Sequence, residues 1–264
     1  MNIPRLRKRV QILTIILVVL VPILNKKGIT LVTGSLYSLA IGPIWITDPL
    51  IGFQAILTTM KADTTLLLSL VLPVVLALAL GRVFCGWACP QNTISELVDL
   101  AAMKFGRKRP LGKRTTAFPR YGILAAVLIG SPLLGIPLAS LLSAPGIISV
   151  QVAKLIYEGI VGLELGLIAV IVLFEFFLVR RGWCNYLCPV GSFLGIFRFK
   201  KTLKVVFAEN AVQVCGKCLA CVDACGLGLN PMEGGIYPQC HNCGECISAC
   251  ETMKAEKRPL VYKF

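Results

Sequence analysis

Histidine is almost absent from this 264-residue chain: His241 is the one example. A b-type haem held between membrane helices needs two buried histidines, and c-type attachment needs Cys-x2-Cys-His; the sequence has neither. No glycine fingerprint follows a strand-like run, which removes the usual dinucleotide cradle. Charge is scarce too, at 15% of residues against about 25% in soluble proteins. It is scarcest in acidic form, with 13 Asp and Glu beside 27 Lys and Arg. The net charge of +14 would suit nucleic acid if it formed a patch. Instead the basic residues flank apolar runs, which is the pattern of membrane topology and anionic lipid, so no nucleic-acid partner is expected.

What is present is apolar. Hydrophobic residues make up 56% of the chain and mean hydropathy is +0.79. Four runs are candidates to cross a bilayer: Val10–Leu24, Thr64–Leu80, Tyr121–Leu142 and Gly159–Val179, of 15, 17, 22 and 21 residues. A hydrocarbon core of ~30 Å takes about 17–25 helical residues. The N-terminal run follows Arg5, Arg7, Lys8 and Arg9 like a signal peptide. Asn25-Lys26-Lys27 then replaces a small-residue cleavage site, so it reads as an uncleaved first span. Of the 27 positive charges, 23 fall in the N-terminal segment, the Gly81–Arg120 loop and the tail from Arg180. The positive-inside rule puts both termini in the cytoplasm.

The apolar region repeats. Each half has a Pro-containing outer segment, a span and a Cys-x3-Cys-Pro sequence. The landmarks are Pro49 then Cys85-Gly86-Trp87-Ala88-Cys89-Pro90, and Pro145 then Cys184-Asn185-Tyr186-Leu187-Cys188-Pro189. Because each half crosses twice, the repeats are parallel, related by an axis along the membrane normal. The outer segments read as interfacial or re-entrant helices. The expected fold is therefore an all-α membrane protein with four transmembrane helices in two parallel repeats. Residues 1–198 form that domain, and residues 199–264 a two-cluster ferredoxin-like domain on the cytoplasmic side.

All twelve cysteines are in pattern. The tail carries Cys215-x2-Cys218-x2-Cys221-x3-Cys225 and Cys240-x2-Cys243-x2-Cys246-x3-Cys250. This is the bacterial two-[4Fe–4S] ferredoxin spacing, in which the fourth cysteine of each run ligates the other cluster. Cluster one is then assigned to Cys215, Cys218, Cys221 and Cys250, and cluster two to Cys240, Cys243, Cys246 and Cys225. Zinc sites pair their cysteines in twos, and disulfides do not suit a cytoplasmic tail. Gly226 and Glu251 stand where ferredoxins carry a proline after the fourth cysteine. His241, inside the second run, faces solvent or packs there.

Cys85 with Cys89 and Cys184 with Cys188 would each share a helix face at i and i+4. Three readings stay open for them: a third [4Fe–4S] cluster, redox-active or partner-contacting thiols, or small buried packing groups. Two carboxylates in the fourth run, Glu164 and Glu175, are costly at bilayer depth and are candidates to accept protons. Interhelical hydrogen bonding or snorkelling is the alternative. Asp48, before Pro49, is either a quinol contact or a turn and cap residue.

The stretches Arg82–Pro90 and Gly182–Gly191, with Thr47-Asp48-Pro49-Leu50 and the double ferredoxin tail, resemble the NapH family. Related membrane polyferredoxins, NosR and CcoG, share the Cys-x3-Cys-Pro core. The resemblance implies a membrane iron–sulfur subunit of a quinol dehydrogenase in the bacterial cytoplasmic membrane. It also implies the quinol pool as electron source, a NapG-like periplasmic ferredoxin subunit as partner, and a cytochrome c or reductase of the nitrate reductase type beyond it. The CcoG likeness implies an alternative, a redox assembly or maturation factor for a metalloenzyme; a redox-sensing scaffold is the third reading.

Overall fold

The computed structural model describes residues 3–106, 118–199, 201–207, 218–232, 236–252 and 259–264. Helix α1 (Ile3–Lys26) leads into a meander of β1 (Val32–Gly34), β2 (Ser38–Ile41) and β3 (Ile44–Thr47). Then come α2 (Pro49–Thr59), α3 (Thr64–Leu80), α4 (Val83–Trp87) and α5 (Pro90–Lys104). The second half follows as α6 (Phe118–Leu134), α7 (Leu138–Leu142), α8 (Ala144–Glu158), α9 (Leu165–Phe177), a π-helical turn (Trp183–Leu187) and α10 (Pro189–Leu194). The tail has β4 (Lys204–Phe207), α11 (Ala220–Asp223), α12 (Glu245–Thr252) and β5 (Leu260–Lys263).

The fold is mostly helical, but the all-α expectation needs correction. Ile29–Thr47 alternates β-branched and aromatic residues with Gly34, Gly42 and Pro43, which favours short strands and tight turns. The strands pair antiparallel, Thr33 with Ala40 and Leu39 with Ile46. A second two-stranded pairing joins β4 to β5.

The expected spans also change length. The run read as shortest, Val10–Leu24, lies in the longest helix, because α1 begins at Ile3 and absorbs the basic residues. It is the one described helix long and apolar enough to cross a membrane by length and composition. The two longest runs shrink. After Leu134, Gly135 takes a left-handed conformation (φ +65°) and Pro137 follows, so α6 is 17 residues. Gly159 closes α8 with φ +70° and α9 starts only at Leu165, leaving 13 residues. Glu164 therefore caps the start of α9 and does not lie inside it.

The same elements recur in the same order in both halves: a helix opened by proline, an apolar helix, a cysteine turn, and a second helix opened by proline. Asp48 caps α2, its Oδ1 accepting from Leu50 N at 2.8 Å, with Pro49 in the first turn. That end of α2 is deep in the molecule, because Leu50 is fully buried against Val190 and Phe193 of α10. Ala144, opening α8, is fully buried too, packed with Trp183. The halves exchange partners: α1 packs on α8, and α6 on α2. Tyr37 crosses between them, its hydroxyl donating to Ser140 O at 2.6 Å while its ring lies against Gly146. A Cβ there would stand 1.8 Å from the ring, so this contact needs glycine.

Candidate functional site

The Cys-x3-Cys-Pro turns form in the same way twice. Cys89 caps α5 and Cys188 caps α10, both in extended backbone, with Pro90 and Pro189 in the first helical turn. Proline fits there because the first helical amide has no intrahelical partner to lose. Each turn is closed across five residues, Cys89 N to Phe84 O at 2.9 Å and Cys188 N to Trp183 O at 2.8 Å. The expected single helical face at i and i+4 is thus replaced by a break between a short turn and a new helix. The break aims the second sulfur at helix-opening amides: Gly191 N donates to Cys188 Sγ at 3.5 Å, and the Gln91 and Asn92 amides face Cys89. Such donors and the positive helix end offset only part of the burial that pushes both thiols up, so a bound metal is needed to draw out the thiolates.

The four thiols converge. Cys89 feels the charge of Cys85 and Cys188, Cys184 that of Cys188 and Cys89, and Cys188 that of Cys85. Cys85 and Cys188 pack on one core. Around them lie buried donors with no hydrogen-bond partner: Arg82 Nε, Arg120 Nη1 and Nη2, Gln91 Nε2, and Trp183 Nε1. Orphaned buried donors are costly, and an anionic group among the thiols would satisfy them. A thiolate-clad iron–sulfur cluster has that charge.

In the tail, Cys240 lies near Cys243 and Cys225, and Cys246 near Cys243, Cys240, Cys225 and Cys221. Cys225 thus lies beside the cysteines of the other run. A small cavity is ringed by these cysteines with Gly226 and Gly244. Cys221 and Cys246 share a compact core with Cys250, while Cys218 is exposed. Cys215 lies outside the described residues. Burial, then the neighbouring Cys243, pushes the Cys240 thiol up to about 12, so a metal is needed to draw out its thiolate. No three described His, Cys, Asp or Glu side chains stand close enough to share one metal ion.

The tail docks on both cysteine turns. Asn242, in left-handed conformation (φ +53°), donates to Leu80 O and Leu203 O, and its carbonyl accepts from Trp87 Nε1 at 3.0 Å. His241 does not face solvent: it is buried against Gly86, where a Cβ would stand 2.6 Å from its ring. Burial and the nearby Arg181, Arg7 and Arg82 hold its pKa well below the usual range, so it is neutral. The missing ferredoxin proline has a structural reason. Arg181 lies over Gly226, and any Cβ there would come within 2.3 Å of its guanidinium carbon.

Sequence reasoning missed the arginines. Arg7, Arg82, Arg120 and Arg181 are all at most 6% exposed and lie around the turns. The signal was an offset shared by both repeats, Arg82 three residues before Cys85 and Arg181 three before Cys184. Arg181 reaches Glu96 and Asp99 at 3.5 Å, and Arg180 reaches Asp99 at 2.6 Å. Arg7 donates to Gly86 O at 2.8 Å and pairs with Glu96 and with Glu245 of the tail. Removing one partner from a buried ion network costs about 3–5 kcal/mol. Arg7→Gln is accordingly expected to destabilise the detergent-solubilised protein by about that amount in thermal unfolding; a loss under about 1 kcal/mol would show that the clasp bears no load.

The three candidate carboxylates separate. Glu164 is half-exposed, paired with Lys154 at 3.3 Å and bonded by Gln151 at 2.8 Å. Glu175 is buried beside Cys184, one oxygen accepting from Trp183 N at 3.2 Å and the other unpartnered. Asp48 alone of the three lines a cavity of about 370 Å³, walled by Leu36, Pro73, Ala77, Phe84 and Val190. Phe84 precedes Cys85, and Val190 lies two residues past Cys188. Next to Asp48, Thr47 Oγ1 accepts from Ser69 Oγ at 3.0 Å and stands 3.1 Å from Ser38 Oγ. Nothing in the residue pattern marks this chain of hydroxyls.

A family model described as a 4Fe-4S binding domain matches residues 62–111 and 161–205, the two segments that carry the Cys-x3-Cys-Pro turns. The ferredoxin-type protein NapH of Haemophilus influenzae is 31% identical over 86% of this chain and 77% of its own length. The methylamine utilization ferredoxin-type protein MauN of Methylorubrum extorquens is 34% identical over 75% of this chain and 67% of its own. NapH of Escherichia coli is 26% identical over 81% and 75%. No solved structure matches. With a 4Fe-4S binding family model matched in both halves and a NapH relative aligned along most of the chain, this protein belongs to the NapH family of ferredoxin-type electron-transfer proteins.

Proposed function

We propose that the chain is the membrane iron–sulfur subunit of a quinol dehydrogenase and holds three [4Fe–4S] clusters. Cys85, Cys89, Cys184 and Cys188 hold one at the membrane edge. Cys240, Cys243, Cys246 and Cys225 hold the second, and Cys215, Cys218, Cys221 and Cys250 the third. The observation that carries this reading is the convergence of the two cysteine turns beside an apolar cavity whose one carboxylate is Asp48.

In this reading α1, α3, α6 and α9 cross the membrane, and α2 and α8 enter from the outer side with their proline ends innermost. Large apolar side chains exposed along these helices, such as Ile16, Leu68, Ile129 and Val170, support contact with lipid. Both termini are cytoplasmic, and residues 199–264 form the cytoplasmic cap on the domain of residues 1–198.

Clusters supply one-electron acceptors, which suits a donor giving up two electrons singly. The chain's own residues do the rest. The apolar walls seat a quinol ring and exclude water, with Phe84 and Val190 as the layer between ring and thiols. Hydroquinone oxidation also releases two protons. Asp48 accepts them in turn, and the Thr47, Ser69 and Ser38 hydroxyls lead outward from it. Glu175 and Glu164 stand away from this cavity, and the reading uses neither. The onward partner is a ferredoxin-type subunit that meets the protein on its cytoplasmic face, because the clusters lie on that side in this reading.

The test is reduction of the clusters by a menaquinol analogue in purified membranes, followed by EPR. Reduction within seconds is expected. Clusters that dithionite reduces and no quinol does would sink the proposal and favour maturation of a metalloenzyme or redox sensing.

A further inference from the structure

Two of the four buried arginines have no carboxylate partner among the described residues. Arg82 Nη1 donates to the carbonyls of Pro238 and Gln239 at 3.1 and 2.9 Å, and its Nε has no partner. Arg120 Nε donates to Ser192 Oγ at 3.3 Å, and both its terminal nitrogens have none. They are 5% and 3% exposed, and each lies close enough to feel the other's charge and that of Cys188. Gly191 makes room for Arg82: a Cβ there would stand 2.4 Å from its Nη2. Its amide is the one that bonds Cys188 Sγ.

Two like charges buried together without an anion cost several kcal/mol each. Arg7 and Arg181, at the same level, are neutralised by Glu96, Asp99 and Glu245. The pairing is therefore withheld only on the face of Cys85 and Cys188. We infer that Arg82 and Arg120 are positioning residues whose charge compensates the group bound by Cys85, Cys89, Cys184 and Cys188 and raises its reduction potential.

This inference rests on the proposed membrane-edge cluster. A guanidinium favours the more negative, reduced form of whatever the thiolates hold, by attraction that low dielectric strengthens. Because arginine stays protonated, the effect does not vary with pH.

The experiment is an EPR redox titration of full-length protein in detergent, comparing parent, Arg120→Gln, Arg82→Gln and Arg120→Lys. Each Gln variant is expected to weaken reduction at the membrane edge about thirtyfold, or about 90 mV at 59 mV per decade. The tail signals stay in place, and Arg120→Lys recovers most of the shift. Iron content and tail signals report whether each variant has folded; if Arg120→Gln fails to fold, Arg82→Gln and Arg120→Lys decide. An unmoved membrane-edge signal, or an equal movement of all signals, overturns the inference. So does bound phosphate that is lost in Arg120→Gln while the spectrum is unchanged, since an anionic lipid or free anion would then be the partner. Should Cys85→Ser/Cys184→Ser lose no iron, the cluster reading fails and the inference with it. Loss of iron with no shift in the arginine variants would sink the inference alone.

Discussion

Serine at Cys85 and Cys184 together is expected to remove about four irons per chain while the tail clusters remain. One thiol leaves each turn, so neither half can hold a cluster alone, and serine keeps the turns close to their native volume. The backbone that forms them does not depend on the thiols, since the closures run from Cys89 N and Cys188 N to Phe84 O and Trp183 O. Iron and acid-labile sulfide analysis measures the loss, and EPR of the dithionite-reduced protein shows which signal has gone. Iron content equal to the parent would exclude a cluster at the membrane edge. The four thiols would then be redox-active or packing groups, the readings that their spacing alone leaves open.

Asp48→Asn is expected to slow quinol-driven reduction of the clusters about a hundredfold, the lower end of what a positioned base contributes. Asparagine caps a helix nearly as well as aspartate, so α2 keeps its start and the cavity its shape. What disappears is a carboxylate able to take a proton. Dithionite needs no proton acceptor in the cavity, and its reduction of the clusters should be unchanged. Stopped-flow bleaching of the iron–sulfur absorbance with each reductant separates the two effects. Equal rates for parent and variant with quinol would show that Asp48 is a cap and nothing more, as its bond to Leu50 N by itself allows.

Much of this was legible in the chain. The tail runs suggest a crossed pairing because iron–sulfur spacing is local, and the structure brings Cys225 to Cys240, Cys243 and Cys246. The duplicated turns were equally plain, since proline after cysteine fixes where each helix restarts. Less legible were the limits of the apolar helices. Hydropathy does not register that Gly135 and Gly159 adopt positive φ, and so it ran 121–142 and 159–179 on as single spans. The strands at 32–47 were hidden in the same way, by an apolar count that passed over their β-branched alternation.

The sequence by itself determined the chemistry: eight thiols in iron–sulfur spacing, a repeat that carries four more, and too little histidine for haem between helices. Its arithmetic also determined that charge would be lopsided. Only the tertiary structure decided which charges are left over. Among the described residues Arg7 and Arg181 find carboxylates, whereas Arg82 and Arg120 do not, because neutralisation depends on which elements pack together. It likewise decided why Gly226 replaces a ferredoxin proline, through the volume of Arg181 from another part of the chain. Among three candidate carboxylates it set Asp48 alone in the large apolar cavity, a distinction of depth and neighbours that no spacing along the chain encodes.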